Sequence, residues 1–352
     1  MSGDRIDRTD LLQRARALDA ARDYGAVVEL LAPYEAAGFD ADPELGYLLA
    51  EARRRVGESG AALALLRAIE RACRRRGNDR LHRNRLNLLG VLLFERGEIT
   101  DAVQAWGELL DAASRAGDEE FVARANNNLG VVATLRGDSR EALASYQRAI
   151  TAYQRLGWRR GLAQAHQNLA ITFQALGYGR EADAHFRRAI GYAVADGSRD
   201  EQARAEQEWA LLILELRRDP GLAQAMAYRA LARFRAIGDP AGEGETRRVL
   251  GIIALAERKL DVARADLSDA RETARELGHR LLEAEAAEAL AAVEDADGRT
   301  VAAAALRAAA EAAFAAIGAA GWGARFRERI ARIAAIRAGP GGVAAEPGTS
   351  AD

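Results

Sequence analysis

Residues 126–149 read NNNLGVVATLRGDSREALASYQRA, and this stretch decides the fold. Gly137 separates two helix-forming segments that are rich in alanine, leucine and arginine. A glycine after an apolar helical stretch is typical of a helix that ends in the left-handed conformation. Asp138 and Glu141 then predict the start of a new helix, because the acid three residues on can bond back to the first turn. The stretch therefore predicts a helical hairpin.

Glycine recurs at both ends of this hairpin with a period of about 40 residues. The series that includes Gly137 is Gly57, Gly97, Gly137, Gly177 and Gly298. A second series is Gly77, Gly117, Gly157, Gly197, Gly238, Gly278 and Gly318. A fixed period indicates a repeat architecture, in which each unit buries its apolar face against its neighbours. Each unit is expected to hold two helices, A and B.

Small residues stand at matched points of successive helices, where two backbones must approach closely. In the A helices they are Ala15, Ala50, Gly90, Gly130, Ala170, Ala210, Gly251 and Ala291. In the B helices they are Val27, Ala62, Ala102, Ala142, Ala182, Ala223, Ala263 and Ala303. Large residues beside them, such as Trp106, Tyr146 and Phe186, are expected to fill the space between the helices.

At this point the chain resembles the tetratricopeptide repeat family. The best unit carries the family's pattern of Leu-Gly, Gly, Ala, aromatic and Ala at Leu129-Gly130, Gly137, Ala142, Tyr146 and Ala149. The resemblance covers about residues 7–318. It implies an all-α, right-handed superhelical solenoid of about eight helical hairpins. The period of 40 exceeds the commoner 34, which implies longer helices, and HEAT or armadillo repeats are the alternative at the level of the fold.

The repeat pattern extends over most of the chain and weakens at its ends. We expect a solenoid over residues 1–337, with the clearest repeats at 84–195 and a C-terminal capping helix from Trp322 to Ile336. Arg53 and Glu294 stand where the middle units have apolar residues, as expected of terminal units. Residues 338–352, rich in glycine and proline, are expected to be disordered.

Composition argues against several classes of partner. The net charge is −2, so the chain as a whole has no attraction for nucleic acid or anionic membranes. No run of about 18 apolar residues and no signal peptide is present, so we expect a cytoplasmic protein. Cys73 is the single cysteine, which rules out an intrachain disulfide.

No catalytic motif is evident, and we expect neither an enzyme nor a cofactor. The chain lacks a phosphate-binding glycine loop, a His-Glu-x-x-His motif and a Gly-x-Ser-x-Gly motif. A metal site would need ligands from different units, since none of the four histidines has another three or four residues away. Glu283, Glu285 and Glu288 could be read as an acid and base but favour a solvated helix face.

A dense run of arginines surrounds the B helix of the second unit. It comprises Arg67, Arg71, Arg74, Arg75, Arg76, Arg80, Arg83 and Arg85. A solvated face is the favoured interpretation. A partner-binding patch is the alternative, and nucleic-acid binding is the least favoured because no aromatic residues interleave to stack on bases.

The family resemblance implies that A helices line a concave groove that holds a peptide. The family's inward-facing points correspond here to Asn84, Asn87, Arg124, Asn127, Asn128, Gln164, Gln167, Asn168, Arg204, Gln207 and Arg248. Amides carry a donor and an acceptor together, so they could pair with an extended backbone. The arginines could bind acidic groups. The alternative is a passive polar wall.

Two functional hypotheses follow. The first is a protein–protein interaction adaptor or scaffold that binds an extended peptide segment in this groove. The second is a regulatory sensor, in which a signalling peptide or small ligand changes the superhelix and controls a separate transcription factor or kinase. A receptor for chaperone tails is disfavoured, because Val91 stands where that clamp wants asparagine.

Overall fold

A computed structural model of the chain describes residues 8–75 and 79–336. Gly77, Arg76 and the tail predicted at 338–352 lie outside these ranges, as do the first seven residues. Within the ranges the structure is helical, with a 3₁₀ turn at Ala32–Ala37 and no β-strand. The α-helices are α1 Arg8–Ala20, α2 Tyr24–Leu31, α3 Pro43–Arg55, α4 Ser59–Ala68, α5 Glu70–Arg75, α6 Asp79–Glu95, α7 Ile99–Ala116, α8 Glu119–Arg136, α9 Ser139–Arg155, α10 Arg159–Ala175, α11 Gly179–Asp196, α12 Arg199–Arg217, α13 Pro220–Ile237, α14 Pro240–Ala256, α15 Leu260–Leu277, α16 Arg280–Ala296, α17 Thr300–Ala316 and α18 Ala320–Ala334.

Consecutive helices pack as hairpins. Eight A/B pairs run from α1 and α2 to α16 and α17, with α4 and α5 together forming the second unit's B position. Helix α18 packs on the last pair. The predicted all-α solenoid of eight hairpins with a capping helix is confirmed.

The glycine series marks the helix ends as predicted. Every glycine of the two series within the described ranges has a positive φ. The sixth and seventh units have no glycine at the point that matches Gly137. There Arg218 and Arg258 take the left-handed conformation, with φ of 54° and 61°. The turn is therefore kept where its favoured residue is absent, at a cost in backbone strain.

The hairpins close on the matched small residues. A Cβ atom added to Gly130 in α8 would lie 2.7 Å from Cε1 of Tyr146 in α9, a distance that real contacts do not allow. Tyr146 and Ala142 are fully or almost fully buried in this contact. The absence of a side chain at Gly130 thus leaves room for the Tyr146 ring. Each A helix packs on its B helix through matched small and large residues of this kind.

The polar residues at apolar points of the terminal units are buried in ion pairs. Arg53 donates to both carboxylate oxygens of Glu35, at 2.8 and 2.7 Å. Glu294 accepts from Arg264 at 2.7 Å. These pairs satisfy charges where the middle units have only apolar contacts.

The superhelix closes on itself, so that early units contact late ones. Ser59 at the start of α4 donates to the carbonyl of Leu277 at the end of α15, at 3.3 Å. The turn at Gly97 packs against Ile317. A Cβ atom added to Gly97 would lie 2.3 Å from Cγ2 of Ile317. Arg325 of α18 donates to the Thr134 carbonyl at the end of α8, at 2.9 Å. The A helices therefore surround a central lumen.

Across residues 8–75 and 79–336, no helix combines the length and apolar character needed to cross a membrane.

Candidate functional site

The lumen holds two contiguous cavities, of about 430 and 530 Å³, which we call the main cavity and the N-terminal cavity. They share lining residues, including Arg54, Asn128 and Gln164. The residues predicted for the groove that line one or both are Asn87, Arg124, Asn127, Asn128, Gln164, Gln167, Asn168, Arg204, Gln207 and Arg248. Asn84 lines neither cavity. The rule for inward-facing points therefore brings residues of five A helices around one space.

The side-chain amides of the lumen form a hydrogen-bonded chain across three A helices. Asn128 Nδ2 donates to Asn87 Oδ1 at 3.1 Å, and Asn168 Nδ2 donates to Asn127 Oδ1 at 3.2 Å. Asn127 Nδ2 joins the two pairs through Asn128 Oδ1 at 3.5 Å. The period of 40 places like residues side by side on neighbouring helices. The amides thus satisfy one another in part, rather than standing open to a peptide as their sequence positions suggested.

Asn126, which directly precedes Asn127 and Asn128 on α8, points away from the lumen. Its Oδ1 accepts from Arg148 of α9 at 2.9 Å, and its Nδ2 donates to the Val122 carbonyl at 2.8 Å. By contrast, Gln167 lines the main cavity, and its side chain makes no hydrogen bond to any described residue. Within the predicted set, Gln167 is therefore the amide most open to a ligand.

The predicted arginines also have partners within the wall. Arg204 pairs with Asp239 at 2.6 Å and Glu245 at 3.4 Å. Arg248 pairs with Glu208 at 2.6 Å and Glu285 at 3.3 Å, which ties α14 to α12 and α16. These ion pairs link adjacent units around the cavity.

Arg124 is less fully engaged than Arg204 and Arg248. Its Nη2 donates to Glu120 at 2.8 Å, one turn earlier on α8. The same guanidinium lies 4.6 Å from the centroid of the Trp158 ring. Its Nε atom is buried without a hydrogen-bond partner.

The lumen contains residues that the sequence analysis did not select. Tyr47, Glu51 and Glu285 occupy the same inward-facing points in the second and eighth units, so extending the rule to those units would have found them. Arg160 and Asp200 line the cavity from one turn nearer the start of their A helices. That extra turn reflects the longer repeat.

Helix α18 closes one side of the main cavity, which no repeat rule foresees. Trp322, Phe326 and Arg329 line the cavity. Trp322 Nε1 donates to Glu285 at 2.7 Å, and Arg329 Nε donates to Glu215 at 2.7 Å. The capping helix is therefore part of the candidate site.

The pKa values of two carboxyl groups in the lumen are shifted in opposite directions. Burial acts to raise the pKa of Glu51, but Arg54 and Arg55 outweigh it and hold that pKa at about 2. Burial raises the pKa of Glu285 above its ordinary value, and Arg248 offsets this only in part. Glu51 is thus firmly ionised, whereas Glu285 is protonated more easily than an exposed glutamate.

The solvated-face interpretation is wrong for several charged residues. Glu285 and Glu288 are buried, and Glu288 accepts from Arg327 of α18 at 2.8 Å. In the arginine run, Arg83 and Arg85 are buried too. Arg83 pairs with Asp118 of the next unit at 3.0 Å. These residues face neighbouring helices, which sequence distance did not reveal.

Two histidines meet within the fifth hairpin. His166 and His185 place their Nδ1 atoms 2.9 Å apart, and burial with the neighbouring His185 lowers the pKa of His166 to about 4. No cluster of three or more metal-binding side chains occurs in the described part of the chain. The pair is therefore a packing contact between α10 and α11.

Comparisons with known proteins agree with this architecture. A family model described as a tetratricopeptide repeat matches residues 81–155 and 121–193. No curated protein sequence matches the chain. One similar solved structure is a Rap protein complexed with competence and sporulation factor, with a TM-score of 0.58 and 15% identity over 92% of this chain and 97% of that one. Another is the Rap conjugation gene regulator of the plasmid pLS20 in complex with the Phr* peptide, with a TM-score of 0.61 and 16% identity over 78% of this chain and 79% of that one.

At these identities the two solved structures show a common fold and no more. The family model covers the units in which the sequence pattern is clearest. The glycine period, the packing of small on large residues and the eight stacked hairpins extend the same architecture to the rest of the described chain. Residues 81–193 therefore carry tetratricopeptide repeats, and the rest of the described chain has the same helical-repeat architecture.

Proposed function

We propose that this chain binds a short, extended peptide inside the lumen of its superhelix. The observation that carries the proposal is the convergence of inward-facing residues from the A helices on two contiguous cavities. Cavities of 300–1,000 Å³ with a few placed polar groups are typical of ligand sites. Of the similar solved structures named above, one holds a Rap protein with competence and sporulation factor and the other a Rap regulator with the Phr* peptide.

Of the two predicted roles, the contacts between early and late units favour the regulatory sensor over the adaptor. An adaptor that holds a long segment of another protein needs an open groove. Here early units contact late ones. Arg22, in the loop between α1 and α2, pairs with Asp200 at the start of α12, at 3.1 Å. A ligand between the two turns of the superhelix would bias their separation, which is how binding can shift a conformational equilibrium.

The test is to capture peptides with the immobilised chain from a low-molecular-mass extract of the source cells and their medium. The comparison is Ile171→Arg, which places a long charged side chain in the main cavity. Arg140→Gln is the matched control, because Arg140 is exposed on α9 and has no partner in the described residues. We expect peptides that are retained by the wild type and by the control but lost by Ile171→Arg.

A captured peptide also separates the two roles. Small-angle X-ray scattering should show a change in the radius of gyration on binding if the chain is a sensor, and an unchanged radius if it is an adaptor. If Ile171→Arg retains the same peptides as the wild type, the lumen is not the binding site and the proposal fails.

A further inference from the structure

The N-terminal cavity has a different character from the main one. Four aromatic residues line it: Tyr24, Tyr47, Tyr153 and Trp158. Tyr153 and Trp158 meet edge to face, with ring centroids 5.0 Å apart. Leu88 and Val91 add apolar wall. These rings therefore form one wall of a cavity whose remaining lining is mostly polar, at one end of the lumen.

Hydrogen-bond donors in this cavity lack acceptors. Tyr153 is fully buried, yet its Oη atom has no hydrogen-bond partner. Arg124 Nε is likewise buried and unpartnered. A buried donor without an acceptor costs free energy, and native structures keep few of them. Two such donors in one cavity indicate that an acceptor belongs there.

Arg55 adds further donors to the same cavity. Its Nε donates to Glu51 at 2.9 Å, and its guanidinium lies 5.5 Å from the centroid of the Tyr24 ring. Neither terminal nitrogen of Arg55 has an acceptor among the described residues. Arg124 uses only Nη2, toward Glu120, so its other terminal nitrogen is open as well.

Two carboxylates also line the cavity and act against an anionic ligand. Glu51 is neutralised by Arg54 and Arg55, with which it forms pairs of 3.1 and 2.9 Å. Asp19 is half-buried and makes no ion pair with a described residue. Asp19 is therefore the like charge that a bound carboxylate would face with the weaker compensation, which comes from the nearby charge of Arg55.

We propose that the N-terminal cavity binds the C-terminal residue of the peptide, with its carboxylate on Arg55, Arg124 and Tyr153 and its side chain among the rings. This inference rests on the proposed function. A carboxylate supplies several acceptor positions on two oxygens, which suits two guanidinium groups and a phenol together. An acidic side chain offers the same chemistry, so the experiment must separate the two sources.

The probes are two synthetic hexapeptide pools of identical sequence composition, one with free C-terminal acids and one with C-terminal amides. Each pool is passed over the immobilised full chain, and retained peptides are quantified by mass spectrometry. We expect the free-acid pool to be retained about tenfold better, the scale of one charge-assisted hydrogen-bonded contact. The preference should include sequences without aspartate or glutamate and should favour an aromatic or branched apolar last residue.

Variants connect the preference to the cavity. Tyr153→Phe removes a donor that has no partner, so the fold should be kept, while retention of free acids falls several-fold. Arg55→Gln with Arg124→Gln should abolish the preference for acids over amides. Asp19→Asn removes the opposing charge and should strengthen retention of free acids, a gain that unfolding cannot mimic. The matched control is Arg140→Gln with Arg180→Gln, two exposed arginines on α9 and α11.

Equal retention of acids and amides by the wild type, with loss of both in Ile171→Arg, would overturn this inference and leave the proposed function standing. A preference for acids that survives Tyr153→Phe and the double arginine variant would place the carboxylate elsewhere and also overturn it. If neither pool is retained at all, peptide binding itself fails and the inference fails with it.

Discussion

Arg248 offers the sharpest test of how the lumen is held together. Its side chain is only 6% exposed and joins Glu208, 12% exposed, to Glu285, 9% exposed. The three residues lie on α14, α12 and α16, so one guanidinium links three consecutive units. Replacing it by methionine keeps an unbranched apolar stem but removes the guanidinium group, which leaves two buried carboxylates without their cation.

The expected cost of Arg248→Met is about 3–5 kcal/mol in the free energy of unfolding, as for other broken buried ion pairs. The triple variant Glu208→Gln, Arg248→Met, Glu285→Gln removes the charges together, and we expect it to regain most of that loss. Trp322 Nε1 can still donate to the amide oxygen at position 285, so the contact with α18 is kept.

The assay is urea unfolding followed by circular dichroism and by tryptophan fluorescence, with Arg140→Met as an exposed control. A shift in the midpoint at constant slope reports a change in stability alone. The control should stay within about 0.5 kcal/mol of the wild type. A loss below about 1 kcal/mol for Arg248→Met, or a triple variant no more stable than the single one, would refute the role given to this cluster.

The pH dependence of stability gives an independent check, because it shows whether protonation of Glu285 favours the folded chain. Burial raises the pKa of Glu285 in the folded chain above its unfolded value of 4.5. Such a group favours folding when protonated, so its contribution is full below pH 4.5 and is lost as the pH rises through the folded pKa. Arg248→Met should raise that pKa further. The deficit of the variant should therefore shrink as the pH falls toward 4.5.

Three further predictions concern the helix ends, the acid limit and the closure of the superhelix. Arg258→Gly, at a left-handed position with φ of 61°, should stabilise the chain by about 0.5–1 kcal/mol in thermal unfolding, because glycine adopts that conformation without strain. The pKa of Glu51, about 2 against 4.5 unfolded, gives at most about 3 kcal/mol of stability that is present above pH 4.5 and lost as the pH falls toward 2, and Glu51→Gln should flatten acid unfolding in that window. Arg325→Met removes the donor to the Thr134 carbonyl and should speed amide hydrogen exchange at the end of α8, at a cost of about 1–2 kcal/mol; unchanged exchange there would contradict a closed superhelix.

The repeat and its register could be predicted from the sequence because they depend on local chemistry. Glycine at helix ends and small residues opposite large ones, such as Gly130 opposite Tyr146, act between neighbouring segments. The family resemblance placed Asn128 and Gln167 on the inner wall, and both line the main cavity. Arg258 takes the left-handed conformation at a point where other units have glycine, so the glycine pattern did not reveal this helix end.

The closure of the lumen was decided only by the tertiary structure. Contacts such as Ser59 with Leu277 and Arg325 with Thr134 join residues about 200 positions apart in the chain. They depend on the pitch of the superhelix, which accumulates from small rotations between successive units. No local pattern encodes that sum, so the contacts between early and late units and the place of α18 against the main cavity emerge only when the hairpins are stacked.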